Sequence, residues 1–180
     1  MTDPPAGWVV LIYRIPAEPT RLRAGVWRRL KAAGAIYLQN SVAALPRSAA
    51  AERLLRSLRK DIVEMGGTAQ VLAAEVLTGE ADIVGAFNAA RDDEYAEIVD
   101  RCHDFEVEIA HEIDTGHFTF GELEENDEDL SKLTAWLAKV ATRDVLGATG
   151  RHAVDEALAR CTAALERFAE HVYAADSDAS

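Results

Sequence analysis

Apolar and polar residues follow two periods along the chain, and the change from one to the other divides it. Trp8-Val9-Val10-Leu11-Ile12-Tyr13 is an unbroken apolar run after a Pro/Gly segment, the pattern of a buried strand. Pro16 and Pro19 mark a loop, and Thr20 stands where it can cap a helix. In that helix Leu22, Val26, Leu30 and Ala33 recur at helical spacing and predict the buried face, and Gly34 closes it. The apolar runs Ala35 to Gln39 and Val42 to Leu45 flank Asn40-Ser41 and predict a hairpin, stopped by Pro46. Ser48 is the expected cap of a second helix, on which Leu55, Leu58, Ile62 and Met65 step by three and four residues. Gly66-Gly67 ends that helix, and Ala69 to Leu77 predicts a fourth strand.

The resulting order, β-α-β-β-α-β, is the split-βαβ ferredoxin-like arrangement, assigned here to residues 1–78. Right-handed crossovers place the first and third strands at the centre, with both helices on one face. The second face is expected to be open, as a surface for dimerisation or a ligand.

From Gly79 onward the period is helical throughout. Ile83, Val84 and Phe87 begin a segment that either continues or breaks near Arg91-Asp92-Asp93. Tyr95, Ile98, Cys102, Phe105, Ile109 and Ile113 then form a narrow packing seam. His117 to Gly121 reads as a connector that packs Phe118 and Phe120 in extended form. Leu130, Leu133, Leu137 and Val140 mark another helix, and Val154, Leu158, Cys161, Leu165, Phe168 and Val172 a last one. The expected fold class is therefore α+β: a ferredoxin-like βαββαβ domain followed by an antiparallel extension of three long helices over residues 79–180.

Charge sharpens this division. Residues 1–60 carry eleven Lys+Arg against three acids, a net +8, whereas residues 61–130 carry two against twenty-one, a net −19. A basic surface for an anionic partner thus precedes a region that repels one; the alternative is that the two regions attract each other on folding. The first helix concentrates the positive charge, with Arg21, Arg28 and Lys31 opposite its apolar stripe, Arg29 beside them and Arg14 just before. Guanidinium groups form bidentate hydrogen bonds to phosphate-like oxygens, so this row is the candidate site for duplex DNA or an oxyanion. A row of exposed arginines also serves solubility or pairs with acidic segments, and the sequence leaves both readings open. Trp27, at the edge of the buried face, is expected to pack.

Other chemistry finds little support. There is no phosphate-binding loop and no GxSxG elbow, so no catalytic residue is assigned and the chain is expected not to be an enzyme. Cys102 and Cys161 are the only cysteines, each within an apolar helical stripe, and read as small buried hydrophobes. Glu108 and His111 have the i, i+3 spacing of di-iron bundles but stand alone, and His103, Glu106 and Asp100 form a similar polar group. Both read as solvated faces, with no metal or cofactor. No apolar run is long enough to cross a bilayer and no secretory pattern opens the chain, so a cytoplasmic protein is expected.

Several segments resemble the N-terminal domain of ChrB-type chromate-resistance proteins: Trp8, then Arg21-Leu22-Arg23 leading to Trp27-Arg28-Arg29-Leu30-Lys31, then Gly34-Ala35, Leu45-Pro46 and Gly66-Gly67. The most specific stretch is Phe120-Gly121-Glu122-Leu123-Glu124-Glu125 through Asp129-Leu130, Leu133, Trp136 and Arg143-Asp144. The first half is also similar to the ferredoxin-like domain of PaaX-type repressors, which share the Arg-x-x-x-Trp-Arg-Arg-Leu pattern. Small CRISPR adaptation endonuclease-like proteins share that fold but place an acid at the end of the first strand, where Tyr13-Arg14 stand here. What the resemblance implies is a transcription-associated regulator of chromate resistance, with the first-helix arginines contacting DNA or the oxyanion; a homodimer is expected from the fold and its open sheet face. The resemblance also implies that the chain is a stand-alone or truncated homologue, because the family usually carries a further C-terminal domain. A second expectation is a protein-interaction or oxyanion-sensing module that does not touch DNA.

Overall fold

The computed structural model describes residues 7–16 and 20–178. Four strands and two helices come first: β1 (Trp8–Arg14), α1 (Thr20–Ala32), β2 (Ile36–Gln39), β3 (Val42–Pro46), α2 (Ala49–Glu64) and β4 (Thr68–Ala74). Three longer helices follow, α3 (Glu80–Thr115), α4 (Phe120–Arg143) and α5 (Arg151–Asp178). The chain divides into two compact units, Met1–Ala90 with Val145–Gly147, and Arg91–Asp144 with Ala148–Ser180.

The first unit is an α+β domain with the ferredoxin-like order. Its sheet runs β2-β3-β1-β4, so β1 and β3 are central as handedness requires, and every neighbouring pair is antiparallel. Local chemistry sets the boundaries. Ser48 takes an extended conformation and its hydroxyl accepts from the Ala51 amide at 3.1 Å, which starts α2. Thr20 opens α1, but its side chain and the loop at 17–19 lie outside the described residues. Gly34 ends α1 at φ +79, and Ser41 takes φ 65 in the β2–β3 turn. Gly66 and Gly67 differ in their reasons. Gly66 has φ +80 and open space around it, whereas a Cβ at Gly67 would lie 2.5 Å from the Arg14 carbonyl oxygen and 2.8 Å from Ile62. The first glycine supplies a left-handed turn and the second a close approach of backbone to backbone.

Alternation along the strands builds two cores. Val9, Leu11, Ala43, Leu45 and Ala69 face the helices and meet Val26 and Leu30 of α1 and Leu55, Leu58 and Ile62 of α2. Burying each of these large aliphatic side chains contributes roughly 1.5–3 kcal/mol. On the opposite face Trp8, Val10, Ile36 and Ala44 are buried against Phe87, with Ile83, Val84 and Leu146 beside it. The expectation of an open second face is thus corrected. The stripe Ile83-Val84-Phe87 at the start of α3 covers one end of it, while Ile12 and Leu72 at the other end remain exposed.

In the second unit, α3 is unbroken across Arg91-Asp92-Asp93. Its seam of Tyr95, Ile98, Cys102, Phe105 and Ile109 packs with Leu137 and Val140 of α4 and with Val154, Cys161, Leu165, Phe168 and Val172 of α5. Contacts at successive levels, Tyr95–Asp144, Cys102–Cys161 and Phe118–His171, show α3 and α5 running in the same direction with α4 reversed. The connector differs from its expected form. Thr119 is an N-cap accepting from the Glu122 amide, so Phe120 already belongs to α4 and only Phe118 packs inward.

Candidate functional site: the basic helical layer of the first unit

The apolar stripe of α1 is turned to the sheet, which fixes where its basic residues go. Arg21, Arg28 and Lys31 are all exposed. Arg28 donates through Nε to the Ala24 carbonyl at 3.3 Å within its own helix, and Lys31 Nζ stands 5.3 Å from the centre of the Trp27 ring. None of the three has a carboxylate partner among the described residues. Trp27 is 49% exposed, so it lies out on the surface with Lys31 instead of packing into the core.

Arg29 behaves differently. Its Nη1 is ion-paired to Asp61 of α2 and its Nη2 donates to the Ser57 hydroxyl at 3.1 Å. It joins the two helices and is only partly available to a ligand. Arg14 is separated from the others by strand parity. It shares the face of Trp8, Val10 and Ile12 and pairs in register with Thr68, whereas α1 lies on the Val9–Leu11 face. Of the five residues singled out from sequence, Arg21, Arg28 and Lys31 therefore share one exposed helix surface, Arg29 flanks it, and Arg14 does not join it.

Sequence reasoning gave no role to a second basic group on α2. Arg53, Arg56, Arg59 and Lys60 are exposed beside the same layer. Arg56 pairs with Glu52 at 3.2 Å and Lys60 with Glu64 at 3.8 Å, while Arg53 and Arg59 have no ion pair among the described residues. Their spacing of three and four residues against Leu55, Leu58 and Ile62 was the available signal.

The acidic second unit has no comparable constellation. Glu108, His111 and His103 are exposed, and among the described residues no three metal-ligating side chains are grouped to hold an ion. Its most enclosed polar group is structural. Glu94 receives Arg91 at 2.9 Å and is also ion-paired to Arg143, while the Tyr95 hydroxyl donates to Asp144 at 3.0 Å. Burial, reinforced by that hydrogen bond, pushes the Tyr95 phenol up to about 12. Asp144 in turn accepts from the Ala148 amide at 2.9 Å, which fixes the loop before α5. Cys161 donates to the Cys102 carbonyl at 3.4 Å, and burial pushes its thiol up to about 12. Among the described residues no helix is long and apolar enough to cross a membrane.

Fold and surface together define a basic α+β domain continued by an acidic helical one, with its exposed cations on the helical layer. The chain matches the family described as Protein ChrB, N-terminal, over residues 23–179, and it belongs to that family. Membership associates it with chromate resistance. The match begins inside α1 and so includes Arg28, Arg29, Lys31 and the arginines of α2, but neither Arg14 nor Arg21. No curated protein matches the chain.

Proposed function

We propose that this chain is a non-enzymatic, cytoplasmic regulatory module of chromate resistance, which acts on transcription by engaging duplex DNA with the helical layer of its first unit. The observation that carries this reading is that Arg21, Arg28 and Lys31 are exposed together without carboxylate partners among the described residues. Cations left unneutralised on one helix gain most from a polyanion, because each phosphate contact releases condensed counterions. Arg53 on α2, exposed and without an ion pair among the described residues, extends the same positive field. Family membership supplies the physiological setting.

The test is fluorescence anisotropy of the purified chain with its own upstream DNA, across a salt series and with chromate added. Binding that weakens steeply with salt, falls at least tenfold in Arg21→Glu/Arg28→Glu, and is relieved by chromate supports a sensor-repressor. The homodimer belongs to the same proposal and is read by sedimentation of the free chain and of the complex. Binding unchanged by the double charge reversal, in a variant whose circular dichroism is unaltered, overturns the assignment to α1.

A second reading has its own observation. The net −19 over residues 61–130 repels a duplex, which favours a protein-interaction or oxyanion-sensing module. No DNA binding at low salt, together with calorimetric binding of chromate or sulfate, selects that reading.

A further inference from the structure

The free edge of β4 carries an inference independent of the DNA reading. β4 ends the sheet, since the order is β2-β3-β1-β4 and β1 occupies only one of its sides. Gln70, Leu72 and Ala73 on it are exposed. An uncovered strand presents a row of unpaired N–H and C=O groups, which proteins ordinarily blunt with charge, a bulge or a covering element. Here the edge forms one wall of a cleft of about 450 Å³. Its floor is Val9, Val71 and Ala73, which share the helix-covered face of the sheet, and its other wall is Arg47, Arg56 and Arg59.

The charges of that wall are organised. Glu52 accepts from Arg47 Nε at 2.9 Å and from Arg56 Nη2 at 3.2 Å, and the Arg47 hydrogen bond holds its carboxyl below the usual carboxylate range. One carboxylate therefore orients two guanidinium groups while neutralising one charge. Arg59, one turn along α2 from Arg56, has no partner among the described residues. The cleft is left with excess positive charge beside an apolar floor and a strand edge that has no pairing partner among the described residues.

We propose that this cleft binds an extended acidic peptide, which adds to β4 as a fifth strand and places alternate carboxylates against Arg56 and Arg59. Strand addition supplies main-chain hydrogen bonds for affinity and alternate side-chain positions for selectivity. Residues i and i+2 of an added strand lie on one face about 6.6 Å apart. Arg56 and Arg59 are offset by about 4.5 Å along their helix, a difference that long arginine side chains span. A phosphodiester backbone can accept from the amides of the strand edge but has no donor for its carbonyls, and a small inorganic anion would leave the apolar floor uncovered. A peptide meets all three features.

A dye-labelled peptide Val-Glu-Val-Glu-Val-Glu-Val, titrated into the full chain, tests this. The expected result is saturable binding with amide shift changes at Gln70 to Ala73. Affinity falls at least tenfold in Arg56→Glu/Arg59→Glu, largely persists in Arg56→Lys/Arg59→Lys, and is lost when the central peptide residue is proline. Circular dichroism confirms that both variants fold, as exposed positions allow. Absence of binding, equal binding of the proline peptide, or amide shifts confined to α1 overturns the proposal. So does an oligonucleotide that binds through Arg56 and Arg59 while the peptide does not. Failure of the α1 charge reversal to affect DNA leaves this outcome untouched, so the two readings fail separately.

Discussion

Arg29 of α1 is ion-paired to Asp61 of α2, thirty-two residues further along the chain. The pair is partly exposed, with side-chain accessibilities of 42% and 32%, so solvent screens it. Arg29→Ala and Asp61→Ala should each destabilise the first unit by about 0.5–1 kcal/mol, and the double variant by little more than the larger single effect. Arg28→Ala, which breaks no ion pair, should stay within about 0.5 kcal/mol. Urea unfolding of the four variants separates a structural arginine from a ligand-facing one.

Phe87 lies edge-on to Trp8 with ring centroids 6.1 Å apart and is almost wholly buried on the second face of the sheet. Phe87→Ala should cost about 3–5 kcal/mol, because the helix backbone cannot collapse onto the space left. Trp8 should become accessible at the same time. A red shift of the tryptophan emission together with a lower urea midpoint checks both effects.

The Tyr95 hydroxyl is buried and donates to the Asp144 carboxylate. Both conditions favour the neutral phenol, and its pKa is raised from 10.0 to about 12 in the fold. A group whose folded pKa is raised contributes stability that is complete below the unfolded value and disappears as pH climbs through the folded one. Tyr95→Phe should therefore be less stable than the parent chain at pH 8, by about 1.5–3 kcal/mol for the lost hydrogen bond to a charged acceptor. The gap should narrow between pH 10 and 12. Paired denaturant titrations at those pH values check the sign, since other alkaline titrations are common to both proteins.

Cys102 and Cys161 touch across the α3–α5 contact with no solvent exposure, and burial raises both thiols. The thiolate is the reactive form, so neither residue should react with a disulfide reagent except through opening of the second unit. Labelling should be very slow in buffer and immediate in urea. A fast phase in buffer would show a population in which α5 has separated from α3.

Element order, strand order and the faces of the helices were legible because each rests on a local signal. The steps of three and four between Leu55, Leu58 and Ile62 mark the buried face of α2, and crossover handedness sets β1 and β3 at the centre. Ser48 needed only its own hydroxyl to cap α2. What escaped depends on distant segments. Ile83, Val84 and Phe87 were visible as an apolar stripe, yet nothing local tells such a stripe which surface it will cover. Asp61 is an ordinary acid on an amphipathic helix until the fold brings α1 beside it. The cleft beside β4 is assembled from a strand edge, a helix flank and a loop arginine, and no spacing in sequence announces it. Trp27 stands at the edge of the apolar stripe, where spacing alone suggests packing, but the turn of α1 leaves it half exposed.

The short segment Val145–Gly147 belongs to the first unit although α4 precedes it and α5 follows. Leu146 packs at the margin of the Trp8–Phe87 core, and its carbonyl stands 3.5 Å from the Asn88 amide group. During synthesis, then, the first ninety residues leave the ribosome without Leu146, one of the side chains packed at the margin of their second core. About fifty further residues must emerge before it arrives, which at 5–20 residues per second is roughly 3–10 s. The earlier unit is the first to begin folding, yet its last piece is delivered only after α4 has been made.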